Sequence, residues 1–149
     1  MGLQQQVMEE LKAAMKAKDK VALESLRAIK SAILLAQTEN GAQGELSEAE
    51  GIKLVQKLVK QRKDSATIYL EQGRADLASP ELAQVEVIER FLPKQLSEEE
   101  VEKVVERVIE TTGSSGMKDM GKVMGIVSQE LAGQADGKTI SAIVKKKLM

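Results

Sequence analysis

The last third of the chain carries lysines whose positions would suit contact with phosphate groups. They are Lys118, Lys122, Lys138, Lys145 and Lys146. Turns and helix starts near these residues would add backbone N–H groups, which also bind phosphates. The alternative is that Lys145 and Lys146 only stabilise the end of a helix, where cations interact favourably with the helix dipole. The residues themselves leave both interpretations open.

A second set of cations lies in the first half of the chain. It consists of Lys53, Lys57, Lys60, Arg62 and Lys63. On a helix, Lys53, Lys57 and Lys60 form one row, the geometry needed to follow a phosphate backbone. The alternative is a solvated lysine face on a helix whose other side is buried. The net charge of −1 favours this second interpretation.

Several kinds of chemistry are excluded by composition. The chain contains no cysteine and no histidine, which removes disulfides, thiolate nucleophiles, zinc fingers and the histidine general base. The carboxylates show no spacing typical of metal ligands. We therefore predict no catalytic residue, no metal site and no cofactor.

Arg74 and Asp76 flank a predicted helix stop at Gly73. We interpret them as part of a loop-anchoring ion-pair network, either with one another or with Lys63 and Asp64. A catalytic aspartate is the alternative, but no histidine is present to polarise a substrate.

The elements that carry these residues are predicted to be helices only. Apolar residues recur at helical spacing, and sustained β-type alternation is absent. We predict an all-α protein with about seven helices, four in an N-terminal domain of residues 1–93 and three in a C-terminal domain of residues 97–149. A linker at residues 92–96 separates them, because Pro93 forces the preceding residue out of the helical region. Asn40-Gly41 is predicted to end the second helix, with Gln43-Gly44 in the loop that follows.

Local signals predict where helices begin. Ser47 and Ser97 each open a capping box, and the Ser-Pro pair at residues 79–80 predicts the start of the fourth helix. Asp119 and Thr139 are predicted to cap the last two helices.

Side-chain spacing also predicts packing. Leu34 is expected on the buried face of the second helix, and Leu82 and Ile88 on that of the fourth. Gly121 and Gly125 lack the spacing of a nucleotide-binding P-loop. Because they lie four residues apart on one helix face, we expect them to allow another helix to approach closely.

Several segments are similar to members of the GatB/YqeY family: residues 60–66, 73–78, 91–97, 118–125 and 133–138. The chain resembles the stand-alone YqeY-like proteins over nearly its whole length. Its C-terminal part resembles the tail domain of the B subunit of tRNA-dependent amidotransferases. The resemblance implies a helical fold, contact of the tail with tRNA, and an association with carbon–nitrogen ligation that uses glutamine as the amide donor.

These observations predict a non-catalytic helical module that binds tRNA or other RNA, or assists an amidotransferase or another tRNA-handling protein. One alternative is a component of a glutamine-dependent carbon–nitrogen ligase that acts with a partner enzyme, and another is a protein–protein interaction module. Aromatic residues make up 1% of the chain, so phosphate contacts and RNA shape, rather than base stacking, would carry binding. We expect no DNA readout and no membrane association. The absence of an apolar leader predicts a cytoplasmic protein.

Overall fold

The computed structural model describes residues 2–39 and 46–149, which are helical and contain no strand. The all-α prediction is confirmed for these residues. The helices are α1 (Leu3–Ala17), α2 (Lys20–Glu39), α3 (Glu48–Glu71), α4 (Ala75–Glu89), α5 (Glu98–Thr112), α6 (Met120–Glu130) and α7 (Gly137–Leu148), with a 3₁₀ turn at Met117–Asp119 before α6. The predicted helix stop at Asn40-Gly41 and the loop at Gln43-Gly44 lie outside the described residues.

The chain divides into two compact units, the N-terminal unit (Met1–Leu92) and the C-terminal unit (Pro93–Met149). In the N-terminal unit α1 packs on α2, α3 packs on α4, and α2 also packs on α4. The arrangement as two independent domains of four and three helices stays a prediction.

The core of the N-terminal unit takes one apolar stripe from each helix. Its largest fully buried members are Val7, Leu26, Ile29, Val55 and Ile88. The expectation that Leu34 and Leu82 are buried is wrong, since they are 50% and 43% exposed. An apolar residue at the edge of a helical stripe faces outward when the neighbouring helix does not reach it.

The two predicted capping boxes, at Ser47 and Ser97, are confirmed. The Ser47 hydroxyl accepts a hydrogen bond from the Glu50 N–H at 3.1 Å, and the Ser97 hydroxyl accepts one from the Glu100 N–H at 3.2 Å. In both capping boxes the glutamate side chain accepts the N–H of the serine in return. These bonds satisfy backbone groups that a helix start leaves without partners.

The predicted start of α4 at the Ser-Pro pair is wrong, because α4 begins at Ala75 and contains Pro80. Gly73, at φ 72°, turns the chain immediately after α3, so the helix can restart early. The Ser79 hydroxyl donates to the Ala75 carbonyl at 3.0 Å and caps nothing. Pro80 removes one backbone hydrogen bond, and burial of Ala78 and Val85 on either side offsets that loss.

Replacing Ser97 by alanine should lower the free energy of unfolding by about 1 kcal/mol, the usual effect of losing an N-cap. Ser79→Ala is the control: it should cause no comparable loss, because this serine is inside a helix and alanine is the better helix former. Urea denaturation followed by circular dichroism measures both. Equal losses in the two variants would contradict the assignment of these serines.

The C-terminal unit packs α5, α6 and α7 around a small core rich in valine. Its buried residues are Val101, Val105, Val108, Val123, Val127, Leu131, Ile140, Val144 and Leu148. Part of the predicted linker belongs to this unit: the Leu96 N–H donates to the Gln134 carbonyl at 2.9 Å, and Gln95 Nε2 donates to the Gly133 carbonyl at 2.6 Å. These bonds fix the turn between α6 and α7 that precedes the lysine-bearing helix.

Candidate nucleic-acid interface

Helix α7 separates its apolar and basic residues onto different sides. Ile140, Val144 and Leu148 are buried, whereas Lys138, Lys145 and Lys146 are exposed. We call these three lysines the α7 lysine face. Lys138 and Lys145 lie about 10 Å apart along the helix, given a rise of about 1.5 Å per residue. None of the three makes an ion pair within the part of the chain that the structure describes, so their charges face solvent.

The next lysine along the chain has a different environment. Lys147 Nζ lies 2.6 Å from Glu102 Oε1 and 2.7 Å from Glu106 Oε1, both on α5. Hydrogen bonds to the two carboxylates raise the pKa of Lys147 above its ordinary value. The hydrogen bond from Lys147 lowers the pKa of Glu102. These acidic residues were not predicted as partners, although their spacing of four places them on one face of α5.

The start of α7 is capped by Asp136, so the prediction that Thr139 is the cap is wrong. The Asp136 side chain accepts a hydrogen bond from the Thr139 N–H at 2.7 Å. A carboxylate therefore already occupies the position at which this helix start would bind a phosphate. Thr139 cannot be the cap because an N-cap residue precedes the helix, and α7 already begins at Gly137.

Lys118 and Lys122 lie on the 3₁₀ turn and on α6, respectively, and both are exposed without an ion pair among the described residues. Asp119 occupies the N-cap position of α6, as predicted, but its side chain makes no cap hydrogen bond. Its carboxylate instead accepts the Ser115 N–H at 2.8 Å.

The expectation that Gly121 and Gly125 allow close helix packing is wrong. Both glycines are exposed, and a Cβ atom added to either would meet no atom within 4 Å. The close approach occurs at Gly51 instead, where an added Cβ would lie 3.2 Å from Leu3 Cδ2. Spacing on a helix cannot tell which side of the helix faces a neighbour.

Replacing Gly121 or Gly125 by alanine should raise the free energy of unfolding by about 0.5–1 kcal/mol each, because alanine restricts the unfolded chain and meets no obstacle here. Gly51→Ala is the matched control and should gain less, since the Leu3 side chain must move. Thermal denaturation by circular dichroism measures all three variants. Destabilisation by Gly125→Ala would mean that another group packs against this helix face.

Three of the five cations on α3, Lys60, Arg62 and Lys63, form ion pairs or hydrogen bonds with other residues of the N-terminal unit. Lys60 Nζ lies 2.8 Å from Asp64, a hydrogen bond that raises the pKa of Lys60, and Lys63 Nζ lies 3.2 Å from Glu89. Lys53 and Lys57 are exposed and make no ion pair within residues 2–39 and 46–149. Surface pairs of this kind are weak, so they reduce but do not remove the positive charge of this face.

Arg62, by contrast, is partly buried and links helices. Its Nε donates to Gln84 Oε1 on α4 at 2.9 Å, and its guanidinium also donates to the Leu58 carbonyl at 3.2 Å. Gln84 Nε2 in turn donates to Glu24 on α2 at 3.4 Å. This residue therefore connects α3, α4 and α2, and its side chain is directed at protein rather than at solvent.

Arg74 and Asp76 form the predicted ion pair with one another. Arg74 Nε lies 3.1 Å from Asp76 Oδ1, and the guanidinium Nη2 lies 3.0 Å from Oδ2. The hydrogen bond from Arg74 lowers the pKa of Asp76. The pairing of these two residues is confirmed, and their role in anchoring the loop between α3 and α4 stays a prediction.

Stability should depend on pH in the acid and alkaline ranges only. The pKa values of Asp76, Glu100 and Glu102 are lowered in the folded state. Such groups stabilise the fold when the pH is above the pKa that they have in the unfolded chain. This contribution is lost as the pH falls through the lower pKa that they have in the folded state. The raised pKa values of Lys60 and Lys147 act oppositely, so their contribution is lost as pH rises beyond 10.5.

The melting temperature should therefore be nearly constant from about pH 6 to about pH 9, because histidine and cysteine are absent. It should fall below the ordinary glutamate pKa of 4.5. Thermal denaturation across this range measures the profile. A marked slope near neutral pH would contradict this assignment of the titrating groups.

Two further properties hold for the described residues. No three acidic side chains there are grouped so that they could hold a metal ion. None of the helices in residues 2–39 and 46–149 combines the length and apolar character that crossing a bilayer requires.

Over the described residues, the fold and this site define a small helical protein whose C-terminal unit carries a basic face without ion pairs. Residues 4–148 match the family described as YqeY-like protein, and the chain therefore belongs to the YqeY-like family. The resemblance inferred from individual segments is confirmed.

Two groups of relatives share parts of this sequence. The chain is 33% identical over 126 residues to altered inheritance of mitochondria protein 41, mitochondrial, from Clavispora lusitaniae, covering 83% of this chain and 72% of that protein. It is 40% identical over 73 residues to the E subunit of glutamyl-tRNA(Gln) amidotransferase from Thermococcus gammatolerans, covering 46% of this chain. The match spans only 12% of the length of that relative. The corresponding protein from Methanocaldococcus jannaschii is also 40% identical, over 67 residues that cover 42% of this chain and 11% of its own length.

Proposed function

We propose that this protein is a non-catalytic RNA-binding module that contacts tRNA through the α7 lysine face, with Lys118 and Lys122 as additional contacts. The observation that carries the proposal is the separation of charge on α7. Lys138, Lys145 and Lys146 are exposed and unpaired within the described residues, while Lys147 is bound by two carboxylates. Unpaired lysines release counterions when they neutralise phosphates, and this drives association with RNA.

Similarity supports tRNA as the form of RNA. The archaeal amidotransferase relative, whose name refers to tRNA(Gln), contains a segment 40% identical to part of this chain. This segment is a small part of that relative, so the activity of the whole enzyme does not transfer with it. An accessory role beside a glutamine-dependent ligase is a second candidate, favoured by the same similarity, and it would require a partner enzyme to supply the nucleophile.

The proposed cellular location of this protein is the cytoplasm. An organelle is the alternative, because the relative from Clavispora lusitaniae is named as mitochondrial.

The test is a comparison of two triple variants of the full chain, with labelled total tRNA at low salt. Lys138→Gln/Lys145→Gln/Lys146→Gln removes the α7 lysine face. Lys53→Gln/Lys57→Gln/Lys60→Gln removes the same charge from α3 and is the matched control. We expect binding to weaken at least about tenfold in the first variant and much less in the second, because only the first loses phosphate contacts.

Three results would overturn the proposal in different ways. Loss of binding only in the α3 variant would move the site to the N-terminal unit. Equal losses would indicate attraction by net charge without a defined site. No binding by the unaltered chain at low salt would remove RNA as the ligand and leave a protein partner as the leading candidate.

A further inference from the structure

Three consecutive lysines at the end of α7 are held differently. Lys147 is 25% exposed and lies between Glu102 and Glu106 of α5. Lys145 and Lys146 are exposed and form no ion pair within residues 2–39 and 46–149. The two carboxylates thus pair with one of the three lysines, whereas its two neighbours have no ion-pair partner in the part of the chain that the structure describes.

We propose that Glu102 and Glu106 are positioning residues for RNA binding: by holding Lys147 they fix the last turn of α7 and make the α7 lysine face selective for folded RNA. This inference rests on the proposed function, and it adds that the acidic face of α5 determines which RNA is preferred.

The last turn of a helix needs such a contact. Its final carbonyl groups lack partners within the helix, and helix ends fray. Adjacent lysines also repel one another. Here Val144 and Leu148 are buried and Lys147 is paired, so apolar and charged contacts hold the same turn from one side.

The consequence for RNA follows from geometry. A fixed row of lysines matches phosphates only where the RNA backbone has a defined shape, as in folded tRNA. A frayed turn with three mobile lysines would instead adapt to any single strand, since phosphate contacts carry no sequence information. Pairing of Lys147 therefore reduces the number of available phosphate contacts by one and fixes the rest.

Three full-length variants separate positioning from net charge. Glu102→Gln/Glu106→Gln releases Lys147. Glu99→Gln/Glu110→Gln makes the same charge change on α5, at exposed residues that form no ion pair within the described residues, and is the matched control. Lys147→Gln breaks the contact without freeing a cation. A fourth variant, Lys147→Arg, should retain the contact and behave like the unaltered chain.

Two measurements are made on each variant. Amide hydrogen exchange of residues 145–148 without RNA reports the order of the last turn. Binding of total tRNA and of poly(U) at several salt concentrations reports selectivity and the number of phosphate contacts.

We expect faster amide exchange at residues 145–148 in Glu102→Gln/Glu106→Gln and in Lys147→Gln, the two variants that break the contact. In both, the preference for tRNA over poly(U) should fall by about two- to fivefold, which corresponds to the usual contribution of an exposed ion pair. The slope of log K against log salt should steepen by about 0.7–0.9 only when Lys147 is released. Unchanged exchange at residues 145–148 would overturn the inference without any reference to RNA.

Equal effects of the control variant would overturn it as well, because net charge alone would then explain them. If the unaltered chain binds tRNA but selectivity is unchanged in every variant, this inference fails and the proposed function stands. If the unaltered chain binds neither RNA, both fail.

Discussion

Replacing Ile88 by alanine should lower the free energy of unfolding of the N-terminal unit by about 2–5 kcal/mol, the cost of removing a large side chain from a packed core. Ile88 is 0% exposed and lies in α4, in the same core as Ile29 and Val55. The loss combines the apolar surface that is no longer buried with the cavity that remains. Such a loss is a large share of the total stability of a small unit.

The control is Leu82→Ala on the same helix. Leu82 is 43% exposed, so truncation should lower stability by less than about 1 kcal/mol, in the range of surface substitutions. Tyr69 is the chain's single tyrosine and there is no tryptophan, so its fluorescence during urea denaturation follows the N-terminal unit specifically. Equal losses at the two positions would mean that the packing of α4 differs from the one described.

Raising the NaCl concentration from about 50 mM to about 200 mM should weaken tRNA binding by at least about 20-fold. The three lysines of the α7 lysine face alone would account for roughly 20- to 40-fold, because each phosphate contact adds about 0.7–0.9 to the slope of log K against log salt, and contacts by Lys118 and Lys122 would increase the effect. Fluorescence anisotropy of labelled tRNA across the salt series measures the slope. The size of the effect makes it the most sensitive test of a phosphate-dominated interface.

The control is the Lys138→Gln/Lys145→Gln/Lys146→Gln variant under the same conditions. The slope of log K against log salt should be smaller by about 2–3 in this variant. Such a decrease would show that these three lysines release the counterions. Affinity of the unaltered chain that does not change with salt would contradict the phosphate interface and indicate an apolar association instead.

The parts of the fold that could be predicted are those governed by neighbouring residues. Each capping box depends on four consecutive residues, and both are present at Ser47 and Ser97. The predicted pairing of Arg74 with Asp76 is confirmed for the same reason, since the partners are close neighbours in the chain. The start of α4 was missed because its determinants are not local: a turn at Gly73 and the burial of Ala78 outweigh the tendency of the Ser-Pro pair to begin a helix.

The candidate site shows the same division. The sequence shows that α7 carries lysines and that most of them lie near the end of the helix. Which of Lys145, Lys146 and Lys147 is free cannot be read from the sequence, because the answer depends on the side of α7 that packs against Glu102 and Glu106 of α5. Arg62 is a similar case, since its contact with Gln84 joins residues far apart in the chain.

The order of amino acids is enough to predict that this protein is helical, where two of its helices are capped, which family it resembles, and that histidine and cysteine chemistry is absent. Those properties follow from composition, from periodicity and from hydrogen bonds between near neighbours. Packing between helices was needed to establish that Gly121 and Gly125 face solvent and that Arg62 supports a helix contact. It also showed that, among the described residues, Lys147 is paired whereas Lys145 and Lys146 are not. The physical reason is that a helix brings every side chain to its surface, and only packing against other helices decides which side is covered.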